Sequence, residues 1–419
     1  MNQADLMLHD QLSLWLSKHF GLEGTAMLGH GEAGLDRLRP IFESLKIKLS
    51  KVRIITIAGT NGKGETAYRL EQMLLKKNYT TALWTSPHLV SVCERMRFNG
   101  QDVEAKKCLE VFNAVYEKAS SLSYYEYLFY CFLSLTSEDL PDVLLLEVGL
   151  GGRLDAVNLL EAEISLICSI GRDHQAILGN TLDKILIEKL GVTRAGKICL
   201  SALDSEFLRT KAKEYCHNKN TKYWDCFSTN HLDQDDHYVR RNQVLARAAF
   251  MAFESGFDSL EKFDSKAIKS DNLSFPGRRE VMTLGTLSFI FIGAHNIDGF
   301  RQAVKYWCSE GHPDEVWVSF SNRPRKDLNI CTGLLRRLPK KVKKVFTFFE
   351  HPRALDVETL QELAGQSQGS IEFAKDWKQL IKSIEDHSGR TIAVSGSYYF
   401  IGALMRYLLE CGAIRQRNF

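Results

Sequence analysis

A glycine-rich turn near residue 60 contains the residue types that bind phosphate groups. Residues 59–66 read GTNGKGET, and they follow an apolar run and precede a helical pattern over 67–77. Glycines let backbone N–H groups converge on phosphate oxygens, the start of a helix adds partial positive charge, and Lys63 can neutralise the outer phosphates. The pattern is a partial P-loop, because Ile57 replaces the first glycine and Gly64 replaces the hydroxyl residue after the lysine. The alternative is a flexible turn with an incidental lysine.

The missing hydroxyl residue means that a magnesium ion bound with the phosphates needs ligands from other segments. Ser86, Glu147 and His174 each end or closely follow a predicted strand. Because a parallel sheet places the carboxyl ends of its strands at one edge, these side chains can converge beside the turn. Magnesium prefers oxygen ligands and keeps several waters. The sequence therefore predicts a metal site formed by Ser86, Glu147 and His174.

Each of these three residues also has a purely structural interpretation. Ser86 can shape a turn before Pro87. Glu147 can pair with Arg153 at the surface, and His174 can be an ordinary exposed histidine. Structural networks produce such groupings of polar residues as well, so the metal site stays a hypothesis at this stage.

Short apolar runs alternate with helical patterns along the chain. This alternation predicts an α/β fold, in which a parallel sheet is covered by helices on both faces. Strands are predicted at 52–58, 81–85, 142–148, 163–170 and 197–202, and then at 286–292, 315–320, 343–349 and 391–395. Helices of the second half are predicted at 298–309, 328–338, 356–365 and 398–410.

A polar stretch over 258–274 separates the two sets of strands and ends at Pro276 and Gly277, which break regular structure. It predicts two domains, 1–275 and 276–419. The first would be a P-loop-type parallel-sheet domain, and the second a smaller Rossmann-like α/β domain.

Composition excludes several classes of protein. The 419 residues include 54 Lys and Arg against 51 Asp and Glu, which leaves a net charge of +3. This balance argues against a disordered polyelectrolyte, and against nucleic acid or a membrane surface as a partner. The 10 cysteines show no CxxC spacing, so no zinc site or redox pair is predicted and a reducing compartment is expected. With no signal peptide and no apolar run of ~18 residues, we expect a soluble cytoplasmic protein.

A series of short segments runs in a fixed order along almost the whole chain. The segments are GLDR at 34–37, GTNGKG at 59–64, SPHL at 86–89, ERMRFNG at 94–100, EVGLGGRLDAVN at 147–158, DH at 173–174, LGNTLDKILIEKLGV at 178–192, FPGR at 275–278, GAHN at 293–296, KD at 326–327 and PRAL at 352–355. The series resembles the folylpolyglutamate synthase and dihydrofolate synthase family, within the Mur-type ATP-dependent ligases, and in particular its bacterial bifunctional type.

The resemblance implies a carboxylate–amine ligase that adds L-glutamate to dihydropteroate and to reduced folates. ATP would phosphorylate the acceptor carboxylate, and the amine of glutamate would attack the resulting acyl phosphate. The implied cofactors are Mg²⁺, with ATP as co-substrate, and also a monovalent cation and a carbamylated Lys189. The implied partners are small molecules only, and the implied oligomeric state is a monomer. Residues 1–275 would bind ATP, and 276–419 would form the glutamate-ligase domain.

The resemblance also assigns roles to individual residues. Catalysis is assigned to Lys63, His174 and Lys189; ATP binding to Gly59, Thr60, Asn61, Gly62, Lys63, Gly64, Glu65, Asn242, Arg278 and His295; metal binding to Ser86, Glu147 and His174; and folate or pterin binding to Tyr124, Tyr125, Glu126, Arg153 and Asp155. Asn242 would face the nucleotide base. The alternatives are that Lys189 is a surface charge and that the tyrosines belong to the core.

Three residues depart from the pattern of the family. Glu65 stands where Ser or Thr is usual, and its carboxylate beside a triphosphate would repel like charge unless it turns away or binds a cation. Ile292 replaces the aspartate of DGAHN, and Ile297 replaces the following proline. These departures leave open a nucleotide-binding homologue without ligase activity, as well as a ligase with one acceptor only. A Mur-type ligase for a cell-wall precursor is a third alternative, which the FPGR, PRAL and ERMRFNG segments argue against.

Overall fold

The computed structural model describes residues 3–21, 33–227, 238–268, 273, 275–367, 369–384 and 389–416. Contacts within the chain divide it into two compact units, Met1–Ser270 and Asp271–Phe419. Each unit has its own sheet and its own set of helices. The predicted α/β fold is therefore confirmed. Residues 269–272 and 274 of the predicted linker lie outside the described residues.

The sheet of the first unit has eight strands among the described residues, in the order β4-β3-β2-β5-β1-β6-β7-β8. The strands are β1 Arg53–Ala58, β2 Thr81–Trp84, β3 Met96–Phe98, β4 Gln101–Asp102, β5 Val143–Glu147, β6 Ile164–Ile167, β7 Ile198–Ser201 and β8 Lys222–Asp225. Strands β1, β2 and β5 to β8 pair in parallel, whereas β3 and β4 are antiparallel. The central strands are apolar and buried, as expected where helices cover both faces.

Helices connect these strands. They are α1 Gln3–Phe20, α2 Ala33–Lys48, α3 Lys63–Leu75, α4 Ala105–Ala119, α5 Tyr124–Thr136, α6 Gln175–Leu178, α7 Leu182–Leu190, α8 Glu206–Asn218 and α9 Tyr238–Ser255, with short 3₁₀ turns at Val92–Arg95, Ala156–Leu159, Phe257–Lys262 and Ser265–Ala267. Helix α3 begins at Lys63, four residues before the predicted start at 67. Gly62 makes this early start possible, because it adopts the left-handed conformation with φ +91° immediately before the helix.

The second unit has a seven-stranded sheet in the order β13-β12-β11-β14-β10-β9-β15. Its strands are β9 Arg278–Leu284, β10 Leu287–Ile292, β11 Glu315–Ser319, β12 Lys343–Thr347, β13 Glu372–Ala374, β14 Thr391–Gly396 and β15 Ile414–Gln416. Its helices are α10 Ile297–Tyr306, α11 Arg325–Leu335, α12 Val357–Gly365, α13 Trp377–Ile384 and α14 Tyr398–Glu410, with a π-helical turn at Trp307–Gly311. Strands β9 and β15 are antiparallel to their neighbours, and the remaining pairs are parallel.

The predicted parallel strands form most of each sheet, and each sheet also ends in antiparallel strands at one edge, which were not predicted. Strands β3, β4 and β15 have only two or three residues, too few for a recognisable periodicity. Strand β9 carries charged residues and is only partly buried. Strands β8 and β13 were not predicted either, since both are short and partly exposed. Edge strands need few apolar side chains, and this removes the signal that identifies central strands.

No helix among the described residues is long and apolar enough to span a bilayer. All 10 cysteines are free thiols, and only Cys308 and Cys411 of them are exposed.

Gly396 provides a test of the packing in the second unit. Its φ is +105°, and a Cβ at this position would lie 2.0 Å from the carbonyl oxygen of Ser319 on the paired strand β11. We expect Gly396→Ala to lower the free energy of unfolding by at least about 2 kcal/mol, because both the strained backbone and the backbone clash oppose it. Gly333→Ala in helix α11, where a Cβ meets no atom within 4 Å, is the matched control and should be neutral or stabilising. Equal effects of the two substitutions in chemical denaturation would contradict this packing.

Candidate active site

The glycine turn after β1 is fixed to the segment that follows β6. The backbone N–H of Thr60 donates to the carbonyl of Ser169 at 2.7 Å, and the Ser169 hydroxyl accepts from the N–H of Asn61 at 2.9 Å. The Thr60 hydroxyl exchanges hydrogen bonds with the backbone of Gly171. A Cβ on Gly59 would lie 3.2 Å from the backbone nitrogen of Ser169. The turn is therefore held in one conformation by backbone contacts that require glycine at position 59.

The next two glycines leave room for side chains from other elements. A Cβ on Gly62 would lie 2.3 Å from Oδ1 of Asn242 on α9. A Cβ on Gly64 would lie 3.3 Å from Oε2 of Glu147 at the end of β5. The structure thus brings three sequence-predicted groups together, namely the turn, Asn242 and Glu147.

Two lysines meet at the carbonyl of Gly59. Lys63 Nζ donates to it at 3.2 Å, and Lys189 Nζ from helix α7 donates to it at 2.9 Å. Lys189 is only 5% exposed, so its interpretation as a surface charge was wrong. Burial lowers the pKa of Lys189 to about 7, and the positive charge of Lys63 contributes to the shift. Near neutral pH a substantial fraction of the Lys189 amine is therefore uncharged and nucleophilic.

Glu65 faces partners within the protein. Its Oε1 accepts from Nε and Nη2 of Arg69 at 3.0 and 2.9 Å, and its Oε2 accepts from Nδ2 of Asn242 at 2.9 Å. All three side chains are buried. The Arg69 guanidinium therefore compensates the negative charge of Glu65, which the sequence analysis expected to lie beside a triphosphate. Sequence reasoning missed Arg69, although its spacing of four residues from Glu65 on a helix was a usable signal.

Two of the three predicted metal ligands are adjacent. The backbone N–H of Ser86 donates to Oε2 of Glu147 at 3.1 Å, and Glu147 is only 4% exposed. The alternative pairing of Glu147 with Arg153 was wrong, because Arg153 pairs with Glu188 at 3.0 Å.

The third predicted ligand, His174, lies just before the short helix α6, with φ +49°. Its side chain is 48% exposed, and its Nε2 lies 3.9 Å from Oδ1 of Asp173. The part of the chain that the structure describes contains no group of three or more His, Cys, Asp or Glu side chains able to hold a metal. A cation at Glu147 would therefore need hydroxyl, phosphate or water oxygens to complete its coordination.

Tyr125 and Asp155, two predicted pterin residues, form a hydrogen-bonded pair. The Tyr125 hydroxyl donates to Oδ1 of Asp155 at 3.1 Å and accepts from the N–H of Gly149 and the indole N–H of Trp84. The Asp155 carboxylate also accepts backbone N–H groups, and burial raises its pKa. Both side chains hold the glycine-rich segment after β5 in place.

The other predicted pterin residues also contact protein groups. Glu126 accepts from the N–H of Ser123 at the start of α5 and pairs with Arg37 at 2.5 Å. The Arg95 guanidinium lies over the ring of Tyr124. Arg153 forms the ion pair with Glu188 described above. A role of these residues in binding folate stays a prediction.

In the second unit, Arg278 and His295 meet through Tyr398. Arg278 Nη2 donates to the Tyr398 hydroxyl, and the His295 ring lies 4.9 Å from the Tyr398 ring between centroids. A Cβ on Gly293 would lie 2.3 Å from the Tyr398 ring. Tyr398 was missed in the sequence, where nothing in its spacing relates it to Arg278.

The two isoleucines that depart from the family pattern flank this group. The Ile292 carbonyl accepts from the Ser395 hydroxyl at 2.8 Å at the end of β10. Ile297 is the first residue of α10, directly after Asn296, whose side chain accepts from the Gly299 N–H at 2.8 Å. Helix α10 therefore starts without the proline that the family carries at that position.

The chain is similar to known enzymes over much of its length. The dihydrofolate synthase/folylpolyglutamate synthase of Escherichia coli is 36% identical over 417 residues and covers 95% of each chain. The enzyme of the same name from Buchnera aphidicola is 33% identical over 303 residues, which are 68% of this chain and 71% of its own. The chain belongs to the dihydrofolate synthase/folylpolyglutamate synthase family. This confirms the resemblance and the expected activity class, an ATP-dependent carboxylate–amine ligase, and disfavours a homologue without ligase activity.

Solved structures give the same result for the fold. The bifunctional folylpolyglutamate synthase/dihydrofolate synthase of Yersinia pestis, complexed with AMPPNP and Mn ion, superposes with a TM-score of 0.74 at 25% identity, over 95% of this chain and 98% of its own. A search against models of protein families found no match.

The buried pair of Glu65 and Arg69 makes a testable contribution to stability. Arg69→Met leaves the Glu65 carboxylate buried without its cation, and we expect the free energy of unfolding to fall by about 3–5 kcal/mol in urea denaturation without nucleotide. The double variant Glu65→Gln/Arg69→Met removes both charges, keeps an acceptor for Asn242, and should recover much of this loss.

A matched control is the exposed i,i+4 pair of Arg406 and Glu410 on α14, with 28% and 47% of the side chains exposed. Arg406→Met should cost less than about 1 kcal/mol. If Arg69→Met costs no more than Arg406→Met, Glu65 does not depend on Arg69 for charge compensation.

Proposed function

We propose that the chain adds L-glutamate to both dihydropteroate and reduced folates, as a bifunctional member of its family. The observation that supports this most directly is the convergence of Lys63, Lys189 and Glu147 on the glycine turn after β1. A carboxylate is a poor electrophile until one of its oxygens becomes part of a phosphate. Cations and backbone N–H groups stabilise the charge that develops during phosphoryl transfer, and this turn supplies both.

In this proposal the turn from Gly59 to Gly64 binds the phosphates of ATP. Helix α3 begins at Lys63, directly after the turn, so its N-terminus would favour a bound anion, and Lys63 provides the positive charge. Asn242 packs against Gly62 and would lie beside the nucleotide. Its Nδ2 already donates to Glu65, so its Oδ1 is the atom that we expect to face the base. Glu65 then acts on the nucleotide only through Asn242.

We propose Ser86, Glu147 and His174 as the residues that hold Mg²⁺. The buried Glu147 carboxylate supplies the hard oxygen that Mg²⁺ prefers, and it lies next to Gly64 of the phosphate turn. The metal would neutralise phosphate charge during transfer. The complex of the Yersinia pestis relative with AMPPNP and Mn ion supports ATP and a divalent metal for this chain. A monovalent cation stays a prediction.

Lys189 has the properties that carbamylation requires. An amine attacks CO₂ only in its uncharged form, and burial lowers the pKa of Lys189 to about 7. The product is an anion in place of a cation, so the repulsion between Lys189 and Lys63 becomes an attraction. We therefore propose that Lys189 is carbamylated and that the carbamate supports the metal-bound phosphate site.

This carbamate should be detectable and should depend on pH. With ¹³C-bicarbonate, the protein should show a carbamate carbon signal at about pH 8 that declines as the pH falls through about 7, because protonation of the amine prevents attack on CO₂. The signal should be lost in Lys189→Ala and kept in Lys184→Ala, which alters an exposed lysine on the same helix α7. A signal that survives in Lys189→Ala belongs to another amine and contradicts the assignment.

The two parts of the chain would divide the reaction between them. We assign ATP binding to residues 1–275 and glutamate ligation to residues 276–419. Arg278 and His295, held together by Tyr398, are the groups of the second part that we assign to ATP. The bound substrates are all anionic, which explains why the site needs local cations although the chain as a whole has a net charge of only +3.

A paired assay tests the bifunctional proposal. ADP release should require Mg²⁺ and L-glutamate and should be seen both with dihydropteroate and with tetrahydrofolate as the acceptor. Lys63→Ala should reduce turnover with each acceptor by about 10²-fold or more, since the charge that it removes acts on the transferred phosphate.

The outcomes of this assay are distinct. Turnover with one acceptor only would restrict the chain to one of the two activities. No turnover above that of Lys63→Ala, with nucleotide still bound, would mean that this member of the family has lost ligation.

A further inference from the structure

A cluster of four side chains lies apart from the phosphate turn and has no role in the reaction proposed above. It consists of His9, Ser91, Cys93 and Cys108, and we call it the thiol cluster. The Cys93 and Cys108 sulfurs are 3.6 Å apart. His9 Nδ1 lies 3.8 Å from the Cys93 sulfur and 2.6 Å from the Ser91 hydroxyl oxygen.

Three elements position the thiol cluster. His9 belongs to helix α1, Cys93 to the 3₁₀ turn Val92–Arg95, and Cys108 to helix α4. The Ser91 hydroxyl accepts from the N–H of Cys93 at 3.2 Å and so begins the turn that presents the thiol. Both cysteines are buried, and His9 is partly exposed. The cluster is thus a pair of buried thiols beside a partly exposed histidine.

The environment of Cys93 favours its thiolate. Hydrogen bonding from Cys108 lowers the pKa of Cys93, burial opposes the shift, and His9 and Ser91 add to the lowering. The same pairing raises the pKa of Cys108. The thiolate is therefore favoured at Cys93 and disfavoured at Cys108, which is the asymmetry found in pairs where one cysteine reacts and the other resolves.

We propose that Cys93 and Cys108 are a reversible oxidation site, at which hydrogen peroxide converts the two thiols into a disulfide. The sulfurs must approach from 3.6 Å to the bonding distance of about 2.05 Å. Sequence spacing could not reveal this site, because Cys93 and Cys108 are 15 positions apart and meet only in the folded chain.

The chemistry balances in two steps. The Cys93 thiolate attacks one peroxide oxygen, so that an S–O bond forms and the O–O bond breaks. The departing hydroxide takes up a proton and becomes water. The Cys108 sulfur then attacks the Cys93 sulfenic acid, so that the S–S bond forms, the S–O bond breaks, and a second water leaves with the Cys108 proton. Two thiols lose two electrons in total, and one peroxide becomes two waters.

The disulfide would act on the segment that carries Ser86 and His88. The backbone N–H of Thr85 donates to the Arg95 carbonyl, and Arg95 Nε donates to Nδ1 of His88 at 2.8 Å. Glu94, next to Cys93, accepts the backbone N–H of Leu89. A shift of Cys93 towards α4 therefore reaches Ser86. We expect oxidation to lower ligase activity, a consequence that rests on the proposed function of Ser86.

One comparison within the chain favours this interpretation over a packing pair. A second pair, Cys199 on β7 and Cys216 on α8, is also buried and hydrogen-bonded, but burial and the neighbouring thiol raise the pKa of Cys199. The Cys199–Cys216 pair is therefore an internal control, a buried and hydrogen-bonded pair of thiols in which the pKa of Cys199 is raised.

The test uses the full chain treated with hydrogen peroxide at neutral pH, followed by alkylation of the remaining thiols and peptide mapping by mass spectrometry. We expect a peptide that links Cys93 to Cys108, which a dithiol reductant reverses. It should form at least about tenfold faster than any link between Cys199 and Cys216, because reaction requires the thiolate and its fraction changes tenfold per pKa unit. In Cys108→Ala, dimedone should trap the Cys93 sulfenic acid.

Mapping and activity separate the possible failures. Oxidation of the exposed Cys308 and Cys411 while Cys93 and Cys108 stay reduced would overturn the proposal, and so would equal rates at the two buried pairs. In the wild type, peroxide should lower ligase activity several-fold and reductant should restore it, whereas Cys108→Ala should lack this reversible loss. If the disulfide forms and turnover stays unchanged, the proposed influence of the disulfide on the Ser86 segment is wrong. If the chain has no ligase activity, the proposed function fails, but peptide mapping still tests whether Cys93 and Cys108 form the disulfide.

Discussion

Two ammonium groups converge on one backbone carbonyl, that of Gly59, and one of them is buried. This arrangement needs a turn whose backbone is held in place. It also needs a way to reduce the repulsion between the two ammonium groups. Hydrogen bonds to the segment after β6 fix the turn. The lowered pKa of Lys189 reduces the positive charge at the site when no anion is bound. The proposed phosphate site therefore offers cations and a fixed backbone to an anion.

The carboxylates near the turn are compensated in different ways. Glu65 pairs with Arg69, which compensates the carboxylate charge beside the proposed phosphate site. Glu147 accepts a backbone N–H from Ser86 and packs against Gly64, and it is the carboxylate that we propose as a metal ligand. The two buried carboxylates therefore differ in their partners, Arg69 and Asn242 for Glu65 and the backbone N–H of Ser86 for Glu147.

Much of the site was predictable from the sequence because its residues follow strands of one parallel sheet. The order of short apolar runs gave the central strands β1, β2, β5, β6 and β7, and topology then requires Ser86 and Glu147 to lie near the glycine turn. The antiparallel edge strands were not predictable, because two- and three-residue strands carry no periodicity. The burial of Lys189 was also not predictable, since it depends on helix α7 packing against the turn from a distant part of the chain.

The sequence by itself determined the residue types, their order and the α/β alternation, because these depend on local spacing and on short-range periodicity. The tertiary structure decided the electrostatic state of each group. In the folded chain Glu65 forms an ion pair with Arg69, and the pKa of Lys189 is lowered beside Lys63. Folding also places the Cys93 sulfur next to Cys108 and His9. Charge and reactivity depend on burial and on neighbours that are distant in the chain, and only the folded structure brings those neighbours together.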